Sequence, residues 1–138
     1  MSDARIILFH KQATSARTRF LRFAGGTVCG FEPLPKNAEL MEEEGGRIAR
    51  HPGATVTAAE RRLGLPAGSL EAEGTFRAQV AGRDGPFTIF LAGFTTIDPP
   101  FAAASAVGAT FIDLTDARTL PPVELALLRR AYELLLGG

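Results

Sequence analysis

The chain contains one cysteine, Cys29, so an intramolecular disulfide is excluded and the fold must rest on its core. It lacks a basic excess. Fifteen Lys and Arg balance fifteen Asp and Glu, which argues against binding to a polyanion, since such binding draws on surplus positive charge. Lysine is scarce, Lys11 and Lys36 alone standing among the basic residues. No run approaches the roughly 20 apolar residues that span a bilayer. The N-terminus offers only Ile6 to Phe9 where a signal peptide needs about 7–15 apolar residues, and the expected location is cytoplasmic. There is no GxGxxG, no GxxxxGK[ST], no internal repeat and no low-complexity segment, which removes the common nucleotide fingerprints and the repeat architectures.

What is present is enough to fold. With 138 residues, 46% of them apolar, the chain reads as a single domain, 1–138, able to build a core without metal or disulfides. The expected class is α/β to α+β: a mixed sheet with a βαβ N-terminal unit, a later antiparallel hairpin, and helices packed on the sheet. Arg5 to His10 is a short run of β-branched, aromatic and aliphatic residues and reads as a buried strand. From Ala13 to Ala24, the residues Ala13, Ala16, Phe20, Phe23 and Ala24 share one face of a helix, which Gly25-Gly26 would stop. Thr27 to Glu32 then reads as the second strand of the βαβ unit, and Asn37 to Arg50 as a helix weakened at Gly45-Gly46.

Further along, Thr57-Ala58-Ala59-Glu60 has the form of a capping box opening a short helix to Leu65. Phe76–Val80 and Phe87–Leu91 flank Gly82-Arg83-Asp84-Gly85, the clearest hairpin signal in the chain. Asp98 before Pro99-Pro100 marks the start of a small-residue helix, Thr110 to Leu114 a last strand, and Pro121-Pro122 the start of a helix reaching about Leu136.

Three constellations offer chemistry. The loop after the first strand holds His10, Lys11, Thr14, Ser15 and Arg17, groups suited to a phosphate or carboxylate. If the later strands run parallel to the first, Asp98, Asp113 and Arg118 come to the same edge. Capping of the following helices is the stronger account of the two aspartates. The second constellation is Thr57 to Leu70, which has the outline of a helix-turn-helix, but Glu71-Ala72-Glu73-Gly74 is acidic where bases and phosphates would be met. The third is the C-terminal helix, apolar around nearly its whole circumference, so that Leu128, Tyr132 and Leu135 are candidates for a homodimer interface unless the chain itself covers both sides.

Two features read as structural. Glu42, Glu43 and Glu44 with His51 do not form a metal site, because successive helical residues splay by about 100°; Cys29 reads as a small buried hydrophobe. No cofactor and no metal is expected, no residue is assigned a catalytic role, and a nucleic-acid partner is the least favoured of the partners. The leading expectation is a non-catalytic binding or accessory protein acting on a protein partner or small anionic ligand. The alternatives are a small enzyme with an anionic substrate at the 10–17 loop, and DNA binding through 57–70.

Overall fold

The computed structural model describes residues 4–35, 37–41, 51–76, 78–82 and 85–137. Its centre is the strand β1 (Ala4–Lys11), and β1 owes its place to an unbroken apolar run. Ile6 and Leu8 face one layer while Ile7 and Phe9 face the other, all of them buried. A strand covered on both faces needs no polar alternation, as in the interior of an α/β sheet.

Seven strands among the described residues form one mixed sheet. The others are β2 (Thr18–Arg22), β3 (Glu39–Leu40), β4 (Leu70–Ala72), β5 (Gln79–Gly82), β6 (Gly85–Phe94) and β7 (Thr110–Ile112). Their order is β3-β5-β6-β1-β2-β7, with β4 also pairing β6. The ten-residue β6 is the hub: its first half pairs β5, its last residues pair β4, and its other edge runs parallel to β1 from Ala4↔Thr88 to Phe9↔Gly93. The hairpin expected around residues 82–85 is present, closing at Gly82↔Gly85.

Helices lie on both faces. α3 (Pro122–Gly137) packs Leu127, Leu128, Ala131 and Leu135 against Ile7, Phe20, Ile89 and Leu91. On the opposite face α1 (Gly53–Arg62) and α2 (Phe101–Ala106) bring Ala59 and Ala104 against Ile6, Leu8, Leu21 and Ala92. A 3₁₀ helix at Leu114–Thr119 precedes α3. No helix among the described residues is long and apolar enough to cross a membrane.

The mixed sheet with helices packed on it is as expected; the N-terminal βαβ unit is not. Residues 18–22 form a strand antiparallel to β1, with Phe9↔Phe20 and Lys11↔Thr18 in register. A tight turn reverses the chain: Gln12 N–H donates to Arg17 O, Ala16 N–H donates to Gln12 O, and Ala16 adopts φ +60°. Helical periodicity misleads here because Phe20 and Leu21 are both fully buried, one in each layer. Thr27 to Glu32 is likewise not a strand but an irregular segment, buried from Thr27 to Gly30 and exposed at Glu32. Of the helix expected over 37–50, Glu39–Leu40 is strand β3 and 42–50 lie outside the described residues, Glu42, Glu43 and Glu44 among them.

Two further expectations are corrected. α1 begins at Gly53, so Thr57 stands inside it and caps nothing. Leu70–Ala72, where a recognition helix would lie, is strand β4 paired to β6, which removes the helix-turn-helix and the DNA-binding alternative built on it. The cause is Glu60. Its buried carboxylate accepts hydrogen bonds from Gly68 N and Leu70 N, both 3.0 Å, and directs the chain after α1 into the sheet.

Candidate functional site

The expected convergence of loops at one end of the sheet does occur, because β6 runs parallel to β1 and β7 runs antiparallel to β2. His10 Nε2 donates to Thr96 O at 2.8 Å, and Gln12 Nε2 donates to Asp98 Oδ1 at 3.1 Å. Arg17 makes a two-pronged ion pair with Asp113, 3.1 and 2.9 Å, and Lys11 reaches Leu135 O at 3.4 Å. The guanidinium hydrogen bond holds the Asp113 carboxyl below the usual carboxylate range. Asp116 accepts from Asp113 N–H, so Asp113 also begins the 3₁₀ helix that contains Arg118. Asp98, by contrast, does not cap α2, whose N-cap is Pro100. Thr14 and Ser15 are exposed in the turn. Of the charges that suggested an anion site here, Arg17 and Asp113 serve each other and Lys11 a nearby carbonyl.

The interface candidates have structural places too. Leu128 is fully buried and Leu135 nearly so within the chain's own core, and Tyr132 packs against the same cluster. Part of the circumference of α3 that suggested self-association is covered by the chain itself, while Leu136 stays exposed. The sheet lies on one side, and the segment at Thr27-Val28 is tied to Glu124 on another.

A different cleft, not anticipated from the sequence, lies on the α1 side. It has a volume of about 470 Å³ and is walled by α1, the start of β1 and the irregular segment Cys29 to Glu32. That volume is in the range of small-molecule sites. The wall follows from local sequence. Ala59 and Leu63 anchor α1 to the sheet, and Thr55, Ala58 and Arg62, three and four residues apart, occupy one side of the helix and line the cleft together with Arg61. Opposite, Gly30 adopts φ +106°, a conformation suited to glycine, and a Cβ there would stand 3.5 Å from Ile6 N and O. The segment can therefore run tight against β1. Glu124 fixes its root, accepting from Thr27 Oγ1 at 2.8 Å and Val28 N at 3.0 Å.

The lining is strongly biased in charge. Arg5, Arg61 and Arg62 bring three guanidinium groups, and Glu32 is the one carboxylate among the lining residues. Arg5 is held in place: it is buried, its Nη1 donates to Ala4 O and lies 3.9 Å from Glu32 Oε1, and its guanidinium sits 4.9 Å from the Phe87 ring centre. Arg62 lies 4.3 Å over the Phe31 ring, which is braced edge-on by Phe23 at 4.8 Å. Cys29 also borders the cleft but is fully buried. Burial, then the charge of Glu124, pushes its thiol up, away from the thiolate a nucleophile would need.

A divalent cation bridging phosphate oxygens would require a set of oxygen ligands dominated by carboxylates. The described residues do not fit one. Among them no group of three His, Cys, Asp or Glu is placed to hold a metal ion, and Glu60, the acid of α1, is turned to Gly68 and Leu70. A second cavity of about 530 Å³, between the 25–38 segment and the start of α3, is lined chiefly by glycine, proline and apolar residues. Its one carboxylate, Glu124, is already engaged by Thr27 and Val28.

Two solved structures share the fold of this chain. A Nudix hydrolase from M. smegmatis, RenU, superposes with a TM-score of 0.57 at 19% identity, covering 99% of this chain and 89% of that one. The C. elegans Ap4A hydrolase superposes with a TM-score of 0.51 at 14% identity, covering 96% of each chain. At these identities the likeness is one of fold. No protein-family model matches the sequence, and no curated protein matches it. The chain thus shares a mixed α/β fold with these two proteins. That both neighbours sharing this fold are hydrolases is the finding that overturns the expectation of a non-catalytic binding or accessory protein.

Proposed function

We propose that this chain is a hydrolase acting on a phosphate-bearing substrate of the nucleotide class, bound in the α1 cleft. The observation that carries the reading is the charge of that cleft, three guanidinium groups against one carboxylate in a cavity of about 470 Å³. The fold shared with an Ap4A hydrolase supports a phosphoanhydride as the bond attacked. In the reaction, a water oxygen attacks phosphorus, the bridging P–O bond breaks, and the leaving phosphate departs as an anion. Arg61 and Arg62 stabilise the charge on the transferred group, and Glu32 accepts the proton from the attacking water.

The test is turnover of Ap4A and of nucleoside di- and triphosphates by the purified chain, with products separated by ion-exchange chromatography. Hydrolysis should appear for at least one of them and fall about 10²-fold or more in Glu32→Gln, the order expected for losing a general base. Absence of turnover across the panel by a folded protein would overturn the reading.

A further inference from the structure

Building on the reading of the α1 cleft as the substrate site, we infer that it captures phosphate oxygens directly on Arg61 and Arg62, without a bridging divalent cation. Both side chains line the cleft, both residues are exposed, and among the described residues neither has an ion-pair partner. Arg62 is also preorganised. Stacking on Phe31 fixes the plane of its guanidinium while the N–H edges stay open to an oxyanion. Arg61, one residue earlier, leaves the helix about 100° away, so the pair grips different oxygens of a polyphosphate chain.

The helix explains why two such charges are tolerated side by side. Both stand in the last turn of α1, where the partial negative charge of the terminal carbonyls offsets them while the cleft is empty of anion. Dipole compensation alone would be satisfied by arginines pointing into solvent. It gives no reason for both to line one cavity with Arg5, nor for Phe31 to sit beneath one of them. A cation-bridged substrate would instead want carboxylates on this side of α1, and the cleft side carries Thr55, Ala58, Arg61 and Arg62.

The experiment is titration calorimetry of the whole chain with inorganic tripolyphosphate and with Ap4A, in EDTA and again in excess Mg²⁺. Binding is expected in EDTA, no weaker than in Mg²⁺. Arg61→Ala and Arg62→Ala should each weaken it about tenfold or more, with unchanged circular dichroism and melting temperature. Arg62→Lys, which keeps the charge but loses the planar stack, should fall between. Arg129→Ala, on α3 across the sheet, should bind like the parent, separating a site from diffuse attraction. Binding that appears only with Mg²⁺ would overturn cation independence and leave the cleft standing as the substrate site. Binding in EDTA that survives both alanine variants would overturn the role of the two arginines. Failure to bind either ligand under both conditions would overturn this inference and the functional reading together.

Discussion

Phe9 and Gly93 are register partners in the parallel β1–β6 ladder, and the Phe9 ring occupies the space that a side chain at 93 would take. A Cβ on Gly93 would stand 2.6 Å from Phe9 Cζ and 2.9 Å from Cε2. Phe9 is itself held in the core, 8% exposed, so its ring has little room to retreat. Gly93→Ala would gain about 0.5–1 kcal/mol from the stiffer unfolded chain, but overpacking costs about 1–3 kcal/mol. The clash wins. Urea unfolding should show net destabilisation, and Phe9→Leu should relieve part of it in the double variant, a coupling that independent sites would not show.

The two buried glutamates should be as costly to remove as their partners imply. Glu124 joins α3 to Thr27 and Val28, and Glu60 joins α1 to Gly68 and Leu70. Truncation leaves polar groups without an acceptor, and each hydrogen bond to a charged group contributes about 1.5–3 kcal/mol. Glu124→Ala and Glu60→Ala are each expected to cost about 3 kcal/mol in chemical denaturation. Amide hydrogen exchange should locate the loss, at Val28 in the first variant and at Leu70 in the second.

The Arg17–Asp113 pair has a defined pH signature. Its hydrogen bond lowers the Asp113 pKa in the folded state, so the stabilisation is present above the unfolded carboxylate value, about 3.9, and is lost as pH falls through the folded value. Asp113→Asn should melt below the parent at neutral pH, with the gap closing as the pH drops under about 4. Both partners are more than a third exposed, so added salt should shrink the same gap.

Cys29 should be inert while the chain is folded. Its thiol is fully buried and its pKa is raised, chiefly by burial. A disulfide reagent such as DTNB is expected to label it only in guanidinium, at one equivalent per chain. Rapid labelling of the native protein would contradict the burial. Cys29→Ser, which places a hydroxyl in apolar surroundings, should destabilise by about 1–3 kcal/mol.

The sequence by itself determined the elements whose signals are local. The apolar run of β1, the pairing of β5 with β6, and the proline-started α3 each depend on residues within a few positions of one another. Convergence of the 10–17, 95–98 and 113 loops at one edge was legible too, because it follows from strand direction. Only the tertiary structure decided the rest. Residues 18–22 became a strand because a second helical layer buries both faces, which erases the alternation that marks a strand in sequence. It likewise decided which donors each glutamate serves, since Glu124 meets Thr27 from 97 residues away. The α1 cleft was hidden for the same reason. Arg5, Phe31 and the Arg61–Arg62 pair belong to three separate segments, and a constellation assembled by packing leaves no spacing to read.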